Sequence, residues 1–274
     1  MQLSIPEYGN YYHFITESAM GLYRELRDSD RLASKECELW YKGKFASIVQ
    51  LFSCRPIHVV ENTAEIPAEV RPLVHIRPKN IGQWSELLSL RDYLAGMLPA
   101  HRQQAGITVI KRVGKREYAE HSELVSSLKS FNMPVREAVM ELLPFKEQIS
   151  LMQDTVVLIG PHGAGHTNML FMAPGSTVVE LYPKGFTDRC MMGMANAFGH
   201  DYIDIESGNP SVLGRRPSER VQRYLDTNPW PTRNDFWKWK PDRMELGRVL
   251  RDVTSFSIDP KIVMSCVDEI CNRY

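Results

Sequence analysis

Several features are scarce in this 274-residue chain, and each scarcity closes off a class of function. There is no surplus of charge: 33 Lys and Arg balance 33 Asp and Glu, so the formal net charge is zero. Without a basic stripe or an arginine-rich run, the chain lacks the electrostatic footprint of a nucleic-acid binder. Nowhere do 18 consecutive apolar residues occur, and the opening MQLSIPEYGNYYHF has neither a basic n-region nor an apolar h-region. The residues therefore predict no transmembrane segment, and the expected compartment is the cytoplasm. Cys37, Cys54, Cys190, Cys266 and Cys271 are odd in number and scattered, with no CxxC pair, which argues against a zinc site or a disulfide framework. Neither the GxGxxG spacing of a dinucleotide fold nor a repeat of solenoid period is present. What remains is ordinary: 43% hydrophobic and 24% charged residues suit a soluble α/β chain long enough for two modest domains.

The most informative stretch is DTVVLIGPHGAGHTNMLFMAPGSTVVELYP, residues 154–183. Val156–Ile159 and Thr177–Leu181 are short β-branched runs of the kind buried in parallel sheets. Between them lies a turn with three glycines, Gly160, Gly163 and Gly165, and then a short helix from about Ala164 that Pro174-Gly175 closes. A glycine-lined strand-to-helix turn presents backbone N–H groups and the positive end of a helix, a combination that suits an anion. His162, Thr167 and Asn168 add donors, and Glu180, near the end of the next strand, can accept from a ribose diol. A sugar-nucleotide diphosphate satisfies this set, and so does a dinucleotide. A helix packed tightly on a strand, with His162 satisfied in the core, is the bland alternative.

These residues resemble the family 61 glycosyltransferases. GPHGAGHTNMLFMAPGSTVVELYP is similar to the family's C-terminal signature, except that His166 stands where an apolar residue, often leucine, is usual. NYYHFITE, residues 10–17, is similar to the family's Asn-Tyr-x-His-Phe-x-x-Glu pattern. A third likeness is Ile107–Lys111 followed by Arg112-Val113-Gly114-Lys115-Arg116, a strand running into two arginines. The resemblance implies a GT-B-like α/β fold, two Rossmann-like domains facing a cleft. The expected division is residues 1–100 on the acceptor side and residues 101–274 on the nucleotide-sugar side, with the last helices able to pack back on the first domain.

It also implies an inverting glycosyltransferase that moves a sugar from a UDP-sugar to a hydroxyl of a glycan or glycoprotein. UDP-xylose is the first choice of donor and UDP-N-acetylglucosamine the second. In that reading His13 and Glu17, four apart on one helix face, are the candidate catalytic pair. Arg112, Arg116, His162, Gly163, Ala164, Gly165, His166, Thr167, Asn168 and Glu180 hold the donor. The nearest approach to a DxD motif, Asp201-Tyr202-Ile203-Asp204, has the wrong spacing, so neither a metal nor a cofactor is expected. Family members usually carry a signal or anchor; a chain without one is compatible with a minimal viral or microbial enzyme. Two other classes use the same turn: a dinucleotide-dependent oxidoreductase, and an inactive protein that keeps the UDP-binding fold.

Overall fold

The computed structural model of the chain describes residues 1–6, 9–35, 37–73, 81–97, 105–228, 230–232 and 243–272. His75, the expected boundary between residues 100 and 101, Trp237 and Trp239 lie outside these residues. Contacts divide the chain into two compact units, Met1–His101 with Pro144–Ile149, and Arg102–Leu143 with Ser150–Tyr274. Each is built on a parallel sheet with helices, so the α/β class of a GT-B-like chain is what the residues form.

The first unit carries strands β1 (Gln2–Ile5), β2 (Glu38–Tyr41), β3 (His58–Val59) and β4 (Arg71–Pro72) in the order β3-β2-β1-β4, all parallel. β4 contains a proline, Pro72. It is tolerated because β4 is an edge strand, where a missing N–H costs no ladder bond. After β1, the Asn10 side chain accepts from the Tyr12 N–H at 2.8 Å and caps α1 (Tyr11–His13). The helix passes through a π-helical segment, Phe14–Ala19, into α2 (Met20–Asp28). Phe14, Ile15, Met20, Leu22 and Leu26 from this helix are fully buried, as are Leu3, Leu39 and Tyr41 from the sheet. Two further helices follow, α3 (Ala46–Val49) and α4 (Ile81–Gly96). Leu87, Leu90 and Leu94 of α4 are buried at helical spacing.

The second unit holds a five-stranded parallel sheet made of β5 (Gly106–Ile110), β7 (Val135–Ala138), β8 (Thr155–Pro161), β9 (Thr177–Tyr182) and β10 (Asp201–Glu206). Its order is β10-β9-β8-β5-β7. Every residue of β5 and β9 is buried, as expected for strands covered on both faces. The chain leaves β5 for β7 on one side and then returns to β8 on the other. The carboxyl ends of β5 and β8 therefore flank a topological switch point, the crevice where ligands bind in open α/β sheets. The second unit also holds α5 (His121–Leu128), α7 (Cys190–Ala197), α8 (Glu219–Thr227), α9 (Arg243–Arg251) and α10 (Pro260–Cys271), while α6 (Phe145–Gln153) is divided, its residues up to Ile149 counting with the first unit.

Three elements were not legible beforehand: β6 (Glu117–Tyr118), β11 (Val212–Leu213) and β12 (Val253–Phe256), which pair as a small sheet in the order β11-β12-β6. Each is too short to show alternation. The closing helices count with the second unit. Val263, Val267 and Ile270 of α10 join Leu124 and Leu128 of α5 in its main core. Leu246, Val249 and Leu250 of α9 form a second core with Tyr182, Phe186 and Val221, against which Trp230 packs. No helix among the described residues is long and apolar enough to cross a membrane.

β8 runs on through Gly160 to Pro161, beyond the expected end at Ile159, and Gly160 lies close against Ile110 of β5. A Cβ at this position would lie 2.8 Å from Ile110 Cβ and 3.2 Å from the Ile110 carbonyl oxygen. Gly160→Ala is therefore expected to cost about 1–3 kcal/mol of stability through overpacking. Urea unfolding of the variant checks this, and an unchanged midpoint would contradict it.

Candidate active site

The carboxyl ends of β5 and β8 gather most of the residues singled out in the sequence. Arg112 follows β5 directly. Its guanidinium crosses over the β8 turn, donating from Nη1 to the His162 carbonyl at 3.3 Å and from Nε to the Lys115 carbonyl at 3.1 Å. Gly163 is what makes the crossing possible, since a Cβ there would sit 1.6 Å from Arg112 Nη1. Gly163 then caps the expected short helix, which is a 3₁₀ helix over Ala164–Phe171. Its opening N–H groups have no acceptor within the helix, so the turn presents donors beside the Arg112 guanidinium.

Arg116 reaches the same region by a strained route. Its φ is +52°, uncommon for a residue with a side chain, and its N–H is fixed to the Val253 carbonyl of β12 at 2.8 Å. Among the described residues neither Arg112 nor Arg116 forms an ion pair, and Arg116 Nε is buried without a hydrogen-bond partner. Burial lowers the pKa of Arg112. Burial also lowers that of Arg116, to about 10, with the charges of Arg112 and Arg251 adding to the effect. Two partly desolvated cations without a carboxylate partner favour an incoming anion.

Behind the turn lies a buried polar network. Glu180 is fully buried, and its Oε1 lies 2.7 Å from His162 Nδ1. Its Oε2 accepts from the Tyr202 hydroxyl and is 2.7 Å from the Tyr182 hydroxyl. Tyr182 Oη is also 2.5 Å from the Asp188 carbonyl, so its single proton is shared between two acceptors. The strand pleat explains the grouping: Glu180 and Tyr182 are two apart and share a face, and Tyr202 reaches over from the adjacent strand β10. Burial pushes the Glu180 carboxyl up, but the His162 hydrogen bond, the nearby histidines and Tyr202 outweigh it, and its pKa is lowered. Its oxygens face side chains from inside the fold, not a surface a ribose could reach. His162 stacks on Tyr182 with ring centroids 5.2 Å apart and meets Phe186 edge-on.

His166 and Thr167 lie in the 3₁₀ helix, both buried. His166 is completely inaccessible, and among the described residues neither of its ring nitrogens has a hydrogen-bond partner; the same holds for Thr167 Oγ1. Burial pushes the His166 pKa down to about 4, so it is neutral near pH 7. Asn168 donates to the Gly165 carbonyl at 3.1 Å and so braces the turn.

His13 and Glu17 belong to the first unit. Glu17, on the π-helical segment, is 4% exposed at its side chain, while His13 is 45% exposed, with Nδ1 2.7 Å from Glu17 Oε1. A buried carboxylate thus orients an accessible imidazole. The second unit repeats the pairing with Glu180 and His162, but there the histidine is buried as well. Sequence reasoning did not find Tyr182, Tyr202, Phe186 or Asp188. The period-two spacing of Glu180 and Tyr182 was the available signal for one of them.

The sequence profile described as Glycosyltransferase 61 matches residues 11–179, more than half of the chain. The chain belongs to the glycosyltransferase 61 family. The matched span includes His13, Glu17, both arginines and the whole glycine turn. Curated relatives are the EGF domain-specific O-linked N-acetylglucosamine transferases. The Xenopus laevis protein is 31% identical over 127 residues, 44% of this chain and 24% of that one. The Bos taurus protein is 31% identical over 119 residues, 41% of this chain and 22% of that one. This family 61 chain thus aligns with about a quarter of the length of the curated relatives it matches. A solved bacterial iron-containing dodecameric glycosyltransferase, TibC from enterotoxigenic E. coli, superposes on 66% of this chain and 57% of its own with a TM-score of 0.37 and 12% identity. That likeness is too remote to inform the site.

His166 stands where the family pattern usually has an apolar residue, and its environment yields a prediction. Replacing His166 by Leu removes two unpartnered buried polar atoms, so stability at pH 7 is expected to rise by about 1–3 kcal/mol. The folded-state pKa lies below that of the unfolded chain, so unfolding takes up a proton. The stability held by neutral His166 is complete above pH 6.5 and lost as the pH falls towards 4. That loss amounts to about 3 kcal/mol. Denaturant titrations across this window are expected to show a shallower acid decline in His166→Leu. A less stable variant at pH 7 with an unchanged acid slope would contradict this.

Proposed function

We propose that this family 61 chain is an inverting glycosyltransferase, moving a sugar from a UDP-sugar to a hydroxyl of a glycan or glycoprotein. The observation that supports this best is the pair of unneutralised arginines, Arg112 and Arg116, at the Gly163 turn and the sheet's switch point. A diphosphate matches that turn in charge and in its demand for donors. For the donor sugar, the names of the curated relatives move UDP-N-acetylglucosamine ahead of UDP-xylose.

In the proposed step a base takes the proton of the acceptor hydroxyl, and its oxygen attacks the anomeric carbon. The bond from that carbon to the diphosphate oxygen breaks on the opposite face, and its electron pair leaves with UDP. Arg112, Arg116 and the backbone N–H groups of Gly163, Ala164 and Gly165 stabilise the departing charge. Because protein groups supply this positive charge, the step is assigned no metal, and added magnesium or manganese is expected to leave turnover unchanged. His162, Thr167 and Asn168 shape the turn, and Glu180 acts by orienting His162 instead of holding the ribose. His13 is assigned as the base, with Glu17 fixing its ring.

The test is a panel of nucleotide sugars and NAD, scored by thermal shift and by UDP release with an acceptor present. One UDP-sugar is expected to stabilise the protein and to release UDP. His13→Ala is expected to lose about 10²-fold or more of that turnover while still binding UDP. Stabilisation by NAD with no response to any UDP compound would overturn the reading. Normal turnover in His13→Ala would remove His13 as the base.

A further inference from the structure

His162 lies well apart in sequence from Asp188 and Cys190, but the fold brings the ligand atoms of all three together. A ring nitrogen of His162, a carboxylate oxygen of Asp188 and Sγ of Cys190 all lie within 4.8 Å of one another. We propose that these three side chains bind a zinc-class divalent cation, with Glu180 as the carboxylate behind the histidine.

The groups behind the histidine support this as much as the three donors do. A metal-binding histidine almost always donates its other ring N–H to a carboxylate or carbonyl, which fixes the tautomer and turns a lone pair towards the metal. Here Glu180 Oε1 holds His162 Nδ1 at 2.7 Å, and the ring is clamped by Tyr182 and Phe186. Nε2 is left facing Asp188 Oδ2 at 3.9 Å, too long for a hydrogen bond. Asp188 is also locally braced, with Oδ1 accepting from the Cys190 N–H at 3.0 Å where α7 begins.

The donor set selects the ion. One nitrogen, one oxygen and one sulfur are the mixture that suits zinc or cobalt, whereas magnesium and calcium prefer oxygen alone. Charge agrees: a thiolate and a carboxylate neutralise a divalent cation, and the thiol proton is released to solvent on binding. Metal–ligand bonds of about 2.0–2.3 Å require the donors to close by roughly 1 Å. Side-chain rotation of Asp188, which is 46% exposed, and of Cys190 at the first position of α7 can supply that. Three protein ligands leave a fourth position for water or another group. Such an ion would tie the end of β8 to the β9–α7 connection, beside the Gly163 turn. The scattered cysteines hid the site from the sequence, because only the fold brings Cys190 to His162.

This proposal is independent of the donor assignment, and its test uses no nucleotide sugar. The full chain, stripped with a chelator, is titrated with Co²⁺ and then with Zn²⁺. The expected result is one Co²⁺ per chain, a thiolate-to-cobalt charge-transfer band, the strong visible bands of four-coordinate cobalt, and their loss on adding zinc. Cys190→Ser is expected to lose the charge-transfer band, and Asp188→Asn to bind cobalt about tenfold or more weakly. Both variants are expected to melt like the parent when metal-free. No stoichiometric uptake by the parent would overturn the proposal, leaving His162 as an imidazole between two carboxylates. A charge-transfer band that persists in Cys190→Ser would overturn it too, by placing the metal on another cysteine.

Discussion

Everything near the switch point depends on one close approach, the passage of the Arg112 guanidinium over the α-carbon of Gly163. The approach needs a residue without a side chain, and it needs β5 and β8 to be neighbours with parallel carboxyl ends. Gly160 meets the second need, because only a glycine lets β8 lie so close to Ile110. The first is met by Gly163 itself, whose backbone is extended and would accept any residue if Arg112 were elsewhere. The glycine turn is therefore explained by space more than by backbone freedom.

The electrostatics arise from the same geometry. Glu180 is turned inward and occupied by a histidine and two tyrosines, and among the described residues it forms no ion pair with either arginine. Its charge only partly offsets the lowering of the Arg116 pKa. Arg112 and Arg116 thus keep their charge at the cost of partial burial and, for Arg116, of a strained backbone. Strained residues and unneutralised charges persist where a ligand is to be bound. In the first unit the balance is different. Glu17 is engaged by His13, and the π-helical segment that carries Glu17 is a distortion found most often at functional sites.

Much of this was legible in the residues. β8 and β9 were visible as β-branched runs, and the Arg112–Arg116 and Gly163–Gly165 motifs pointed to an anion. The roles of single residues were less legible. Glu180 was expected to meet a ribose because it ends a strand, but its neighbours Tyr182 and Tyr202 are set by pleat and register, which spacing alone does not reveal. A short helix was expected from about Ala164, and spacing alone did not specify that it would be a 3₁₀ helix. The β6–β11–β12 sheet was missed because two- and four-residue strands carry no period. The two closing helices were expected, and α9 and α10 take those places.

The most direct measurement is calorimetric titration of uridine, UMP and UDP into the parent chain and into Arg112→Ala. If the turn is built for a diphosphate, UDP binds the parent at least tenfold more tightly than uridine, since one charge-assisted hydrogen bond contributes about 1.5–3 kcal/mol. Arg112→Ala then loses most of that difference while its uridine affinity holds. Equal affinity for uridine and UDP in the parent, or a difference that survives Arg112→Ala, would contradict a diphosphate site at Gly163.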